Sequence, residues 1–149
     1  MSKTKQLVPE QVDEFDELYY ETDGAHQLLT IMGSLVKLNE HDEANRRNRF
    51  LGAKLKKEMT HLVAQQASSL EVIQKPILLR FHWYFASRHD FDNIAFAKKY
   101  ILDGMIEAGK LPNDNQKWVH GFRGDYFHRV EKGQEKVVVV IKDSPYDVI

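Results

Sequence analysis

The chain has 149 residues and no cysteine, which suits one domain and excludes disulfides, thiolate zinc sites and cysteine nucleophiles together. Its net charge of −1 hides an uneven distribution. Residues 1–25 set two lysines against seven carboxylates for a charge of −5, so the remainder carries +4, an asymmetry that points weakly to a polyanion partner.

Residues 1–25 read as an acidic extension. Phe15, Leu18 and Tyr19 fall at i, i+3, i+4 and permit a short amphipathic helix over 10–21, although a partly ordered arm is the plainer reading. The segment lacks the apolar core of a signal peptide. The longest apolar run, Val137 to Ile141, is strand-sized and far short of the roughly 18 residues of a membrane span. These features lead us to expect a cytoplasmic protein, in a bacterium or an infected host, with no membrane partner.

Gln27 to Met32 reads as a strand, closed by Gly33-Ser34 and followed by an irregular polar stretch over 37–42. From Asn45 to Ser69 the apolar residues Ala53, Leu55, Met59, Leu62, Val63 and Ala67 recur at helical spacing, and Lys75-Pro76 ends the section. Ile77 to Phe85, rich in β-branched and aromatic residues, predicts a buried strand. A second helix is expected from Asp92 or Asn93 to about 108, with Ile94, Ala97, Ile101 and Met105 as its apolar stripe and Gly109 as its cap. Val119–Val130 and Lys136–Lys142 look like the arms of a hairpin turning at 131–134, and Asp143–Ile149 like a loose tail. The order β-loop-α-β-α-β-β predicts a small α/β (α+β) domain over 26–143, a mixed sheet with two main helices packed on it, between the extension 1–25 and the tail 144–149.

Asp90-Phe91-Asp92-Asn93 is the most informative tetrapeptide. In an extended segment Asp90 and Asp92 would point the same way, because side chains alternate with period two. Two carboxylates about 5 Å apart repel by roughly 3 kcal/mol at an effective dielectric near 20, and a divalent cation removes that repulsion. Magnesium suits such oxygen donors. A third carboxylate, Asp114, follows the helix. A helix over 93–108 is about 24 Å long, so Asp114 joins the pair only if its loop folds back or a second subunit supplies it. Such a site would activate water for phosphodiester hydrolysis, with Lys98 or Lys99 placed to stabilise phosphate charge. Asp92 could equally be a helix cap, and D-x-D also occurs in sugar transferases that use nucleotide sugars.

Arg46, Arg47, Arg49, Lys54, Lys56 and Lys57 lie within twelve residues, with Asn39, Asn45 and Asn48 as neutral donors nearby. The run reads either as a phosphate-binding surface or as a solvated helix face. The seven histidines show no zinc spacing. His82 belongs in a strand core, as do Trp83, Tyr84, Phe85, Trp118 and Phe122 in the core at large. Asp103, Glu107 and Asp125 read as surface charges or helix-dipole partners.

The run Asp90-Phe91-Asp92-Asn93-Ile94, a helix ending Glu107-Ala108-Gly109 and Asp114 five residues past that glycine resemble the RusA family of Holliday junction resolvases. Leu38-Asn39-Glu40, Asn45-Arg46-Arg47-Asn48-Arg49, Gly52-Ala53-Lys54-Leu55-Lys56-Lys57 and Asn93-Ile94-Ala95-Phe96-Ala97-Lys98-Lys99 look like the branch found in Gram-positive bacteria and their phages. The resemblance spans about residues 27–142. It implies a homodimeric, magnesium-dependent endonuclease that resolves four-way DNA junctions by paired nicks, without a small-molecule cofactor. It implies Asp90, Asp92 and Asp114 as metal ligands and a catalytic lysine on the following helix. Counting back from the helix end favours Lys99, and counting on from Asp92 favours Lys98. DNA contacts fall to Asn39, Arg46, Arg47, Arg49, Lys54, Lys56 and Lys57. The alternative is a branched-DNA binding protein that does not cut.

Overall fold

The computed structural model describes residues 26–33, 35, 38–86, 88 and 90–145, and the expectations made for 1–25 and for the last four residues lie outside them. Its elements are β1 (His26–Met32), α1 (Leu38–Arg47), α2 (Arg49–Ala67), β2 (Ile77–Phe85), α3 (Phe91–Ala95), α4 (Lys98–Glu107), β3 (Val119–Arg129) and β4 (Lys136–Asp143). The four strands form one mixed sheet in the order β1-β4-β2-β3. The class is α+β, with helices packed on a mixed sheet as expected.

Two local expectations change. The polar stretch expected to be irregular over 37–42 belongs from Leu38 on to the helix α1, which runs to Arg47. It shows no apolar stripe because it packs through few residues, among them His41, whose ring lies 5.3 Å from that of Phe96 and 6.3 Å from that of Tyr100. Asn48 then breaks the helical run. Its backbone is extended, and its Oδ1 accepts from the Phe50 backbone N–H at 2.8 Å, which starts α2 afresh. The expected single helix over 93–108 is likewise two pieces, with a turn at Phe96-Ala97. Its stripe holds nonetheless, since Ile94, Ala97, Ile101 and Met105 are all buried. Gly109 adopts φ +74 and its N–H bonds to the Ile106 carbonyl at 2.9 Å, so it closes α4 as a left-handed cap. In α2, Val63 and Ala67 are buried as expected, whereas Ala53 is exposed.

The hairpin expectation is overturned. β3 and β4 do not pair, because β2 lies between them, parallel to β3 and antiparallel to β4. Composition explains the placement. β2 and β4 carry near-continuous apolar runs and take the centre of the sheet. β3 carries Gly121, Arg123, Gly124 and Asp125, whose glycines and charges suit an edge. The β2–β3 register slips twice, opposite the stretch from Val119 to Asp125.

One face of the sheet carries the odd-numbered residues of β1, β2 and β4. Leu29, Ile31, Ile77, Leu79, Phe81, Trp83, Val137, Val139 and Ile141 join Val63, Ala67, Ile94, Ala97, Tyr100, Ile101 and Met105 of the helices in the core. Each large apolar side chain withdrawn this way contributes about 1.5–3 kcal/mol. The even-numbered residues Leu78, Arg80, His82, Tyr84, Val138, Val140 and Lys142 are also buried, yet stand outside that core. Phe122, expected inside, is 49% exposed.

The α2–α4 contact is closest at Gly104, where an added Cβ would meet the Val63 side chain at 2.5 Å and the Thr60 carbonyl at 3.0 Å. Both helices are fixed to the sheet and cannot easily separate. Gly104→Ala should therefore destabilise the fold by about 1–3 kcal/mol in urea unfolding, although alanine is the better helix former.

The second face gives a pH dependence. Nδ1 of His82 and Nε2 of His128 lie 2.9 Å apart, one ring N–H donating to the other ring's bare nitrogen. Burial, then the charges of His128 and Arg80, pushes His82 down to about 3, and burial also lowers His128. The unfolded chain binds protons near pH 6.5 that the folded chain refuses. The contribution of His82 is thus complete above about 6.5 and falls as pH drops towards 3, by about 1 kcal/mol per pH unit, and His128 steepens the loss in the same direction. Urea titrations between pH 7 and 5 should show this slope, and His82→Gln should flatten it.

Candidate functional site

The Asp90-Phe91-Asp92 turn stands where the chain leaves the carboxyl end of β2. Phe91 anchors it. Its ring stacks on Phe127 of β3 with centroids 4.0 Å apart and planes 5° from parallel, and lies edge-on to Phe85 at 6.0 Å. The anchored ring fixes the turn while both flanking carboxylates stay exposed. Asp90 is the N-cap residue of α3, with an extended backbone and no side-chain cap bond, and its carbonyl accepts from the Ile94 N–H at 3.2 Å. Asp92 lies in the first helical turn, where a negative charge suits the helix dipole. Its Oδ1 lies 3.1 Å from the Asn93 N–H. Residue 92 is therefore helical, and the period-two argument for aligned carboxylates does not apply to this turn.

Asp114 is exposed in the loop after α4. The ten residues of α4 alone rise about 15 Å, which sets Asp114 beyond the far end of the helix from Asp92. Among the described residues, no group of three or more His, Asp or Glu side chains converges to hold a metal. The carboxylates are the right donors for a hard cation, but one chain gathers only Asp90 and Asp92 at one turn.

The two lysines separate by environment. Lys98 turns towards the sheet. Its Nζ donates to Asp125 Oδ2 at 2.9 Å and sits 4.8 Å and 4.5 Å from the ring centres of Phe81 and Phe122. Asp125 also accepts from Trp83 Nε1 at 2.8 Å through its other oxygen. It is a part-buried carboxylate that fixes Lys98, not the surface charge expected from the sequence. In the sequence Asp125 is marked only by the aromatics that follow it, Tyr126 and Phe127, which does not separate it from a surface acid. Lys99 is exposed and faces the helices.

Lys99 lines a groove of about 340 Å³ with His41, Asn45, Arg49, Lys56 and Tyr100. The groove brings part of the basic segment onto the same wall as the helix that follows Asp92. Among the described residues no carboxylate lines it. Lys56 reaches Asp103 at only 4.0 Å, so its charge is weakly countered. The rest of the segment divides. Arg47 is tied to Glu43 at 2.9 Å and Lys54 approaches Glu58 at 3.9 Å, both one helical turn away and solvent-exposed. Such pairs are weak and exchange readily for a phosphate. Arg46 and Lys57 are exposed, Asn48 is spent on its cap, and the side chain of Asn39 lies outside the description.

No protein-family model matches the chain, and no curated protein sequence does.

Proposed function

We propose that the chain is a magnesium-dependent endonuclease acting on branched DNA, and that it resolves four-way junctions as a homodimer. The observation that carries this reading is the anchored Asp90-Phe91-Asp92 turn, two exposed carboxylates that open the helical region whose later residues Phe96, Lys99 and Tyr100 line a groove with Arg49 and Lys56. Carboxylates that hold a hard cation beside cations that hold phosphate are the elements of metal-assisted phosphodiester hydrolysis. The motif set that resembles the RusA family supports the same reading. Asp90 and Asp92 of one chain with Asp114 of a second copy would hold the metal, which when bound supplies an activated water and charge neutralisation. Lys99 is the better candidate for a phosphate contact, because Lys98 is already held by Asp125. A branched-DNA binding protein without cleavage is favoured by one fact, the lack of a converged three-carboxylate group among the described residues.

A labelled mobile four-way junction separates the two readings. Magnesium should produce paired nicks, and Asp92→Asn should lower their rate by about two orders of magnitude or more while junction binding persists. Tight, salt-sensitive binding with no cut in magnesium or manganese sinks the nuclease.

Mixed dimers test the shared site. Asp92→Asn and Asp114→Asn chains should each be inactive, yet after subunit exchange the mixture should nick again, since each heterodimer then holds one site with all three carboxylates. A mixture that stays inactive while the two chains exchange places Asp114 in the same chain as its partners.

A further inference from the structure

The groove that holds Lys99 is built by α1, α2 and the start of α4. His41 and Asn45 stand one turn apart on α1, and Arg49, Gly52 and Lys56 follow the spacing i, i+3, i+7 along one face of α2. Phe96, Lys99 and Tyr100 complete the lining. Two features separate this groove from a plain basic surface. One is aromatic. The His41 ring lies 5.3 Å from that of Phe96 and 6.3 Å from that of Tyr100, and Phe96 stands edge-on to Tyr100 at 5.7 Å. His41 and Phe96 are only half-buried. The other is an unspent donor. Tyr100 is 1% exposed, and among the described residues its hydroxyl has no hydrogen-bond partner. Burial, then the charge of Glu40, pushes this phenol up to about 12, so it keeps its proton at neutral pH. A buried hydroxyl without an acceptor costs free energy that a ligand oxygen would recover.

We propose that this groove takes one unstacked nucleotide of a DNA strand, its base against the His41 and Phe96 rings and its phosphate among Arg49, Lys56 and Lys99. The proposal rests on the DNA-binding part of the function proposed above and not on cleavage. Size argues for more than a phosphate. The groove holds about 340 Å³, whereas a water's share of liquid volume is about 30 Å³, so a phosphate group alone would leave most of it empty. That volume falls at the lower end of small-ligand sites, roughly 300–1,000 Å³. Charge argues for a phosphate within it, since three cations and no carboxylate are among the described lining residues. The rings argue for a base. A paired base hides its faces in the stack, and only an unpaired one, such as a branch point can supply, presents a face to an aromatic side chain. The floor of the groove is tight, because a Cβ added at Gly52 would run into the side-chain amide of Asn45.

Fluorescence anisotropy of the full-length chain with labelled DNA in EDTA tests this without cleavage. Three duplexes are compared, one fully paired, one with a single unpaired thymidine and one with an unpaired abasic residue at the same place. The unpaired thymidine should be bound about tenfold more tightly than either of the others, the factor for one base stacked on an aromatic side chain. Gly52→Ala, whose methyl displaces the Asn45 amide from its seat, should abolish that preference and leave binding of the paired duplex unchanged. Tyr100→Phe should weaken the thymidine duplex about fivefold without lowering stability in urea, since the lost hydroxyl has no partner to miss. Equal binding of the thymidine and abasic duplexes overturns the proposal, and so does a preference that survives in both variants. If Gly52→Ala fails to fold, Tyr100→Phe decides. Competition by thymidine 5′-monophosphate at concentrations equal to the duplex would give the groove to a free nucleotide and overturn its assignment to a strand. Absence of binding to any duplex sinks the DNA reading itself, whereas a failure to cut in magnesium leaves this result untouched.

Discussion

Ile77 to Tyr84 are buried without interruption, so β2 cannot alternate between core and solvent. A strand of that kind must have a neighbour at each edge and cover on each face. β4 takes one edge and β3 the other, which is why two strands adjacent in sequence are split across it. The helices cover the odd-numbered face. The same centrality delivers the chain at Phe85 to the middle of the sheet's end, where Phe91 folds back onto Phe127 and exposes an acid on either side. The acidic turn is thus a consequence of where β2 sits and how the chain escapes from it.

The cations follow the same division into two faces. Lys98 is drawn into the odd-numbered side, where Asp125 and two aromatic rings hold it. One residue further on, the helix turns Lys99 to the opposite environment, an exposed groove shared with Arg49 and Lys56. Successive positions on a helix differ by about 100° in direction, so adjacent lysines serve different roles by geometry alone. Lys98 is committed to the fold, and a phosphate that reached Lys99 would meet a groove in which no described residue is a carboxylate.

Much of the frame was legible in the sequence. The apolar run of β2 gave its bounds to the residue, and the stripe Ile94, Ala97, Ile101, Met105 marked the buried face of the second helical region through its central turn. Gly109 marked the cap because only a left-handed residue ends that helix. Other features were hidden for physical reasons. α1 lacks a stripe, since its ten residues have few apolar contacts to make. The hairpin reading failed because a turn between two strands specifies their proximity in sequence, while pairing is decided by which strand can bear full burial. Asp125 could not be told from a surface charge, because its partners Trp83 and Lys98 are distant in sequence and meet only across β2 and α4. For the acidic turn, the residues were legible but their geometry was not, since Asp92 is helical.

A net charge near zero says little about where a polyanion would bind, and the distribution of cations says more. Arg80 and Lys142 are sealed on the second face, and Lys98 is neutralised by Asp125, so none of the three can release counterions from a DNA backbone. Arg46, Arg47, Arg49, Lys54, Lys56 and Lys57 are exposed along α1 and α2, and Lys99, seven residues past Asp92, shares a groove with Arg49 and Lys56. Under the proposed function this removes a geometric problem. DNA held on the helical side is presented to the carboxylates, whereas DNA held on an open second face would be bound away from them.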